Sequence, residues 1–335
     1  MTPWLLALDF GGTKHTAAVL ARGERQWRAL RRVFSPLSSP PESPPESPPE
    51  SPPAAGAQWD IRTMLDLARQ LLAGDQPAAI GVSFGGPVDA ATNTVRLSHH
   101  VPGWENIPLG EILTAEFGAP ARVDNDANVA ALGEQRFGAG QGYDSLMYIT
   151  VSTGVGGGWI LDGRPWRGSD GMAGEIGHTV VDPHGPLCLC GKRGCVERLA
   201  SGPYMAGDAR LLLLAHPERG RILRDLVSGD LATITGQTLS QAAAQGDELA
   251  QEVLDRGAWA LGVGIGNAAN LVNPQRFVLG GGVTRAGERF WVGVRQAARH
   301  TALPEVHIDI VPAALGDDAP LWGAVALAED GIVQP

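Results

Sequence analysis

The chain has 335 residues, 44% of them hydrophobic, and a formal net charge of −10 at pH 7. That length allows two domains with a core each. The acidic balance argues against nonspecific nucleic-acid binding, and no apolar run reaches the ~20 residues a membrane-spanning helix needs. The apolar start, residues 4–8, is too short for a secretory signal and meets Asp9 at once. A cytoplasmic protein with no membrane or nucleic-acid partner is expected.

Residues 5–20 (LLALDFGGTKHTAAVL) read as strand, tight turn and strand, because Gly11 and Gly12 permit the turn and the flanks are apolar and β-prone. The turn sets Asp9 at the end of the first strand. The N–H groups of residues 11–14 and the Thr13 hydroxyl form a nest suited to phosphate, and an aspartate beside it suits a hydrated magnesium ion. Lys14 is one of only two lysines, the other being Lys192. The pattern is neither a Walker A loop nor a dinucleotide fingerprint, and alone it fits a plain hairpin equally well. A third strand follows over 27–34. Residues 39–53 repeat Ser-Pro-Pro-Glu, which blocks helix and ladder alike and reads as a solvated, polyproline-like insertion in the first domain.

Helical spacing of Ile61, Met64, Leu65, Ala68 and Leu72 predicts a helix over 59–73. A strand over 78–83 runs into Gly85, Gly86 and Pro87. Residues 95–104 (VRLSHHVPGW) read as a loop carrying His99 and His100, and 108–117 as a helix with Pro108 in its first position. In ARVDNDANVAALGEQRFG a strand ends at Val123, and Asn125 or Asp126 caps a helix reaching Phe137. The run Asp-Asn-Asp-Ala-Asn holds more polar groups than a cap uses. A carboxylate between strand end and helix start is also where open α/β sheets place reacting groups, which favours a functional Asp126.

Residues 146–161 (LMYITVSTGVGGGWIL) repeat the design of the N-terminus, with Thr153, Gly154, Gly156, Gly157 and Gly158 as the turn. Two such hairpins, each opening an α/β half, suggest a duplicated architecture with a cleft between the halves. All three cysteines, Cys188, Cys190 and Cys195, then fall in one Gly/Pro-rich loop, GEIGHTVVDPHGPLCLCGKRGCVE, which also holds His178. Three thiols and an imidazole complete a closed tetrahedral zinc site of structural type. Its expected work is to hold Glu175, His178 and Glu197, with His178 binding metal through one ring nitrogen and a polar ligand through the other. Residues 201–260 read mainly as helices, and 250–271 as an Ala/Gly-rich helix able to pack closely on a sheet. A strand over 276–279 ends in Gly280, Gly281 and Gly282, a shelf a nucleoside can approach closely. A helix over 285–300, a strand over 307–311 and a helix over 320–328 complete the chain.

In order and spacing, DFGGTK at Asp9, NDAN at Asn125, STGVGGG at Ser152, GEIGH at Gly174, CLCGKRGCVE at Cys188 and LGGG at Leu279 resemble the ROK family (repressors, open reading frames and kinases) of the actin-like ATPase superfamily. The likeness covers nearly the whole chain apart from the Ser-Pro-Pro-Glu insertion. It implies two actin-like (ribonuclease H-like) α/β domains with a zinc-binding loop: residues 1–120 plus 318–335 as the smaller, and 121–317 as the larger. It further implies ATP-dependent phosphorylation of a hexose, most often glucose at its 6-hydroxyl, by domains that close around the sugar. Carried over by motif, Asp126 is the general base. Gly86, His100, Asn125, Glu175, His178 and Glu197, with Asp126, form the sugar set. Asp9 faces magnesium through water, and Gly11, Gly12, Thr13, Lys14, Thr153 and Gly154 are the phosphate turns. Gly280, Gly281 and Gly282 lie under the nucleoside. Mg2+ with ATP and a structural Zn2+ are the implied cofactors, and a homodimer is the expected assembly.

One departure bears on the sugar: where many relatives have Asn-Leu-Pro-Gly-Trp, this chain has His100-Val101-Pro102-Gly103-Trp104. A kinase of N-acetylmannosamine, N-acetylglucosamine or another hexose stays open, as does a polyphosphate donor. A sugar-responsive repressor would need a helix-turn-helix ahead of Asp9. A noncatalytic sugar-binding module would leave Asp126 and both phosphate turns unexplained.

Overall fold

The computed structural model describes residues 3–12, 14–36, 56–98 and 101–333. Thr13, His99, His100 and the Ser-Pro-Pro-Glu repeat lie outside these residues. In chain order the first elements are β1 (Trp4–Phe10), β2 (Lys14–Ala21), β3 (Ala29–Phe34), α1 (Ala57–Leu72), β4 (Pro77–Phe84), β5 (Val88–Asp89), β6 (Thr94–Val95), α2 (Leu109–Phe117), β7 (Ala121–Asn125) and α3 (Asp126–Phe137). Then follow β8 (Leu146–Val151), β9 (Val155–Leu161), β10 (Arg164–Trp166), α4 (Val196–Ala200), α5 (Gly202–Ala215), α6 (Arg221–Leu226), α7 (Gly236–Ala244), α8 (Glu248–Val272), β11 (Arg276–Gly280), α9 (Glu288–Thr301), β12 (Ile310–Pro312) and α10 (Ala319–Val333). Contacts group these into two units, Met1–Gly138 with Arg167–Met172 and Asp318–Pro335, and Ala139–Trp166 with Ala173–Asp317.

The first unit is built on a sheet of order β3-β2-β1-β4-β7. β1 runs antiparallel to β2 and parallel to β4, and β4 runs parallel to β7. Leu5, Leu6, Leu8, Ile80 and Val82 are fully buried, as expected of strands covered on both faces, which read as unbroken apolar runs. α1 buries Met64, Leu67, Ala68, Leu71 and Leu72 along one stripe and stops at Ala73 in the left-handed conformation. α10 returns from the far end of the sequence to pack on β4 and α3. The approach is close enough that a Cβ on Gly323 would lie 1.7 Å from the Val129 carbonyl oxygen.

This packing explains a difference from the sequence-based division at residue 120. β7 takes its ladder bonds from β4 and α3 its neighbours from α10, so residues 121–138 group with the first unit. Pro108 also stands one place earlier than expected, as the residue preceding α2.

The second unit repeats the plan, with a sheet of order β10-β9-β8-β11-β12. β8 is antiparallel to β9 and parallel to β11, and β11 is parallel to β12. Gly156, Gly157 and Gly158, expected in the turn, are inside β9. The reason is a close crossing: a Cβ on Gly157 would stand 2.6 Å from the Gly174 carbonyl oxygen and 2.7 Å from Met147 Cε. The small residues of α8 receive another helix rather than a sheet, since a Cβ on Gly262 would meet Ala297 Cβ and the Val294 carbonyl of α9 at 2.5 Å each. α7 opens with a capping box between Thr235 and Thr238.

Candidate active site

In the first unit the polar residues collect at the carboxyl ends of three parallel strands. Asp9, Ser83 and Asp124 share one rung across β1, β4 and β7. Ser83 Oγ donates to Asp9 Oδ1 at 2.8 Å. Burial pushes the Asp9 carboxyl above its ordinary range, against the opposing pull of the Ser83 hydrogen bond and of Lys14. A cation at this carboxylate would favour the ionised form, which suits the expected magnesium side.

Asn125 caps α3, its Oδ1 accepting from the Ala127 and Asn128 N–H groups at 3.0 and 3.4 Å. Its Nδ2 donates to the Gly86 carbonyl at 3.1 Å, so two members of the expected sugar set are joined. Asp126 Oδ1 accepts from Ala127 N at 2.8 Å. A Cβ on Gly85 would lie 3.8 Å from both Asp126 Oδ2 and Gly12 N, so the half-buried Asp126 and the glycine turn border the same spot. A Cβ on Gly12 itself would meet nothing within 4 Å, leaving its backbone approachable. Beneath the HVPGW loop, the Trp104 ring is buried against Phe10 and Phe84, and its Nε1 donates to Asp60 Oδ2 at 3.0 Å. Asp60 Oδ1 is bound by His15 Nε2 at 2.7 Å.

In the second unit, Glu197 lies in the first turn of α4, directly after Cys195 and Val196. Its Oε2 accepts from Val155 N at 3.0 Å, and a Cβ on Gly154 would come within 2.8 Å of the same oxygen. The carboxylate expected to hold sugar therefore also braces the second phosphate turn. Glu175 is exposed, and its carbonyl accepts from His178 N at 3.1 Å.

One ligand atom from each of His178, Cys188, Cys190 and Cys195 lies within 4.8 Å of all the others. The Cys190 and Cys195 sulfurs are 3.5 Å apart. His178 Nδ1 is buried without a hydrogen-bond partner, a cost that a metal bond removes. Burial pushes the Cys195 thiol up to about 12, whereas a hydrogen bond from the Lys192 backbone draws Cys190 down. Three sulfurs and one nitrogen at this spacing fit tetrahedral zinc.

A cavity of about 820 Å³ opens beside Thr153 and Gly282, lined also by Gly202, Gln237, Ser240 and Arg285. Gly281, with φ +88°, makes the turn that brings the backbone there, where a Cβ would strike the Val151 carbonyl at 2.4 Å. The glycine shelf was legible in the sequence. The opposite wall, from α5 and α7, was not: the Thr235–Thr238 capping box marks a helix start and says nothing of a cavity. Asp124 and Arg167 were likewise missed, though Asp124 stands in the same Asp-Asn-Asp run as Asp126.

Two sheets of identical strand order, each with a glycine turn at its leading hairpin, are the architecture of the actin-like ATPase superfamily. Within it this chain belongs to the ROK family, whose model matches residues 5–331. A glucokinase of Thermotoga maritima is 32% identical over 274 residues, 81% of this chain and 86% of that protein. An N-acetylmannosamine kinase of Shigella flexneri is 34% identical over 326 residues, 97% of this chain and 98% of that protein. The crystal structure of a ROK family glucokinase from Streptomyces griseus in complex with glucose and AMPPNP superposes with a TM-score of 0.79 at 34% identity, covering 98% of this chain and 99% of that one.

Proposed function

We propose that this chain is an ATP-dependent hexose kinase, a glucokinase that transfers the γ-phosphoryl group of ATP to the 6-hydroxyl of glucose, acting in the cytoplasm as a homodimer. The observation that carries the reading is Asp126 at a strand-to-helix junction, bordering the same spot as the Gly12 backbone. A carboxylate so placed accepts the hydroxyl proton as the sugar oxygen bonds to phosphorus and the bond to the ADP oxygen breaks. Asn125, Glu175, His178 and Glu197 hold the sugar hydroxyls, for which carboxylates are apt acceptors. The turns at Gly11–Gly12 and Thr153–Gly154 receive phosphate oxygens, and the cavity beside Gly282 takes the nucleoside. Magnesium bound with ATP would be held through water by Asp9 and would neutralise phosphate charge. Zinc held by His178, Cys188, Cys190 and Cys195 would fix the loop and orient the second ring nitrogen of His178 toward a hydroxyl.

A second reading, phosphorylation of N-acetylmannosamine, is supported by the relative that matches 97% of this chain. His100, which would bear on this choice, lies outside the described residues. Asp126→Asn tests the shared mechanism. It should leave glucose binding nearly intact and lower turnover by roughly 100-fold or more. Near-normal turnover in a coupled ADP-release assay would overturn the base assignment.

A further inference from the structure

The geometry points to Arg167 as a positioning residue for Asp126, an inference that rests on the proposed base role. Arg167 opens the short segment Arg167–Met172, which groups with the first unit although the residues on either side belong to the second. Its Nε donates to Asp124 Oδ2 at 2.7 Å, and its Nη2 stands 2.6 Å from the same oxygen. The segment is tied down again where Arg96 Nη1 donates to the Asp170 carbonyl at 3.1 Å.

Asp124 is buried, its side chain only 3% exposed, and a carboxylate there needs a cation or several donors to stay in place. It uses both. While Oδ2 takes the guanidinium, Oδ1 accepts from Asn125 N at 2.8 Å and from Asn128 Nδ2 at 3.3 Å. These two donors lie on either side of Asp126 in the chain. Asp124 thereby fixes the backbone just before the base and the helix turn just after it. Arg167, from 43 residues away, fixes Asp124 in turn. A guanidinium delivering two N–H groups to one carboxylate sets direction as well as charge. Arg167 thus acts on the reaction through Asp124 and the junction, and the orientation it preserves is that of the group that takes the proton.

A double-mutant cycle on the full-length enzyme tests this, with glucose and magnesium-ATP as substrates and thermal denaturation as the check on folding. Arg167→Gln should lower kcat about tenfold or more, the scale on which small misplacements act, with KM for ATP within twofold of wild type. Arg167→Lys should restore part of the loss. Asp124→Asn, which keeps the shape of the side chain and removes the charge, should reproduce the fall in kcat even if Arg167→Gln folds poorly. Combined with Asp126→Asn, the Arg167 change should cost little more, because residues acting as a unit are not additive. Unchanged kcat with only a lowered melting temperature would overturn the role, as would a double mutant that loses the product of both factors. Wild-type turnover by Asp126→Asn alone would remove the base assignment itself and this role with it.

Discussion

The two units share a strand order and differ in how they make a site from it. The first places carboxylates at the ends of parallel strands, Asp9 and Asp124 on one rung and Asp126 at the head of α3. Each is held by bonds from its own unit: Ser83 for Asp9, Arg167 for Asp124, the Ala127 N–H for Asp126. The second unit keeps its strand ends free of acid and hangs its polar groups on a loop. There Glu197 follows a cysteine of the metal cluster by two residues, and His178 is itself a member. A proton acceptor needs a fixed position, and a sheet edge with a helix cap provides it. A loop that must bend around a ligand needs another anchor, and three thiols with one imidazole provide that. The sheet can be built by packing alone, whereas the loop depends on a metal.

After the loss expected on changing Asp126, the largest effect that would sharpen this contrast lies in the second unit. Cys190→Ser should release zinc and weaken glucose affinity about 10- to 100-fold through His178 and Glu197, while the secondary structure of the first unit persists. Metal analysis and glucose titration read both. A variant that keeps metal and affinity would contradict the role given to the loop.

Glycines of the first unit offer a smaller and more selective effect. Gly12→Ala puts a Cβ where nothing stands within 4 Å, so it should fold normally yet raise KM for ATP about tenfold, the equivalent of one lost hydrogen bond to phosphate. Gly323→Ala puts its Cβ 1.7 Å from a backbone oxygen and should instead lower stability by about 3 kcal/mol with the active-site groups unchanged. Equal effects on stability from the two changes would break the distinction between glycines that leave room and glycines that allow packing.

The smallest effect concerns Asp9. Its folded carboxyl is raised above the ordinary value of 3.8 by burial, so the folded state holds the proton more tightly than the unfolded chain. Stability from this group is present below pH 3.8 and is lost as pH rises through the raised folded value. Asp9→Asn should therefore raise the unfolding midpoint at neutral pH, by about 1 kcal/mol, and the gain should vanish under acid conditions while magnesium-ATP turnover falls. A lower midpoint at neutral pH would contradict the sign.

Much of this was written in local pattern. The continuous apolar runs of β1, β4 and β8 announced strands covered on both faces, and the repeated hairpin announced the duplicated plan. Clustering of every cysteine in one loop announced the metal set. What escaped depends on distance along the chain. The Arg167–Asp124 pair joins residues 43 apart, and α10 completes a unit begun some three hundred residues earlier. The glycines of β9 look like a turn because a close crossing of backbones uses the same residue as a bend.

The central claim is most directly tested by a coupled ADP-release assay with magnesium-ATP against glucose, mannose, fructose, N-acetylglucosamine and N-acetylmannosamine. The account predicts kcat/KM highest for glucose, with product phosphorylated at the 6-hydroxyl. Preference for N-acetylmannosamine would replace the substrate and leave the base and metal assignments standing, and no ATP-dependent turnover with any of the five would contradict the kinase itself.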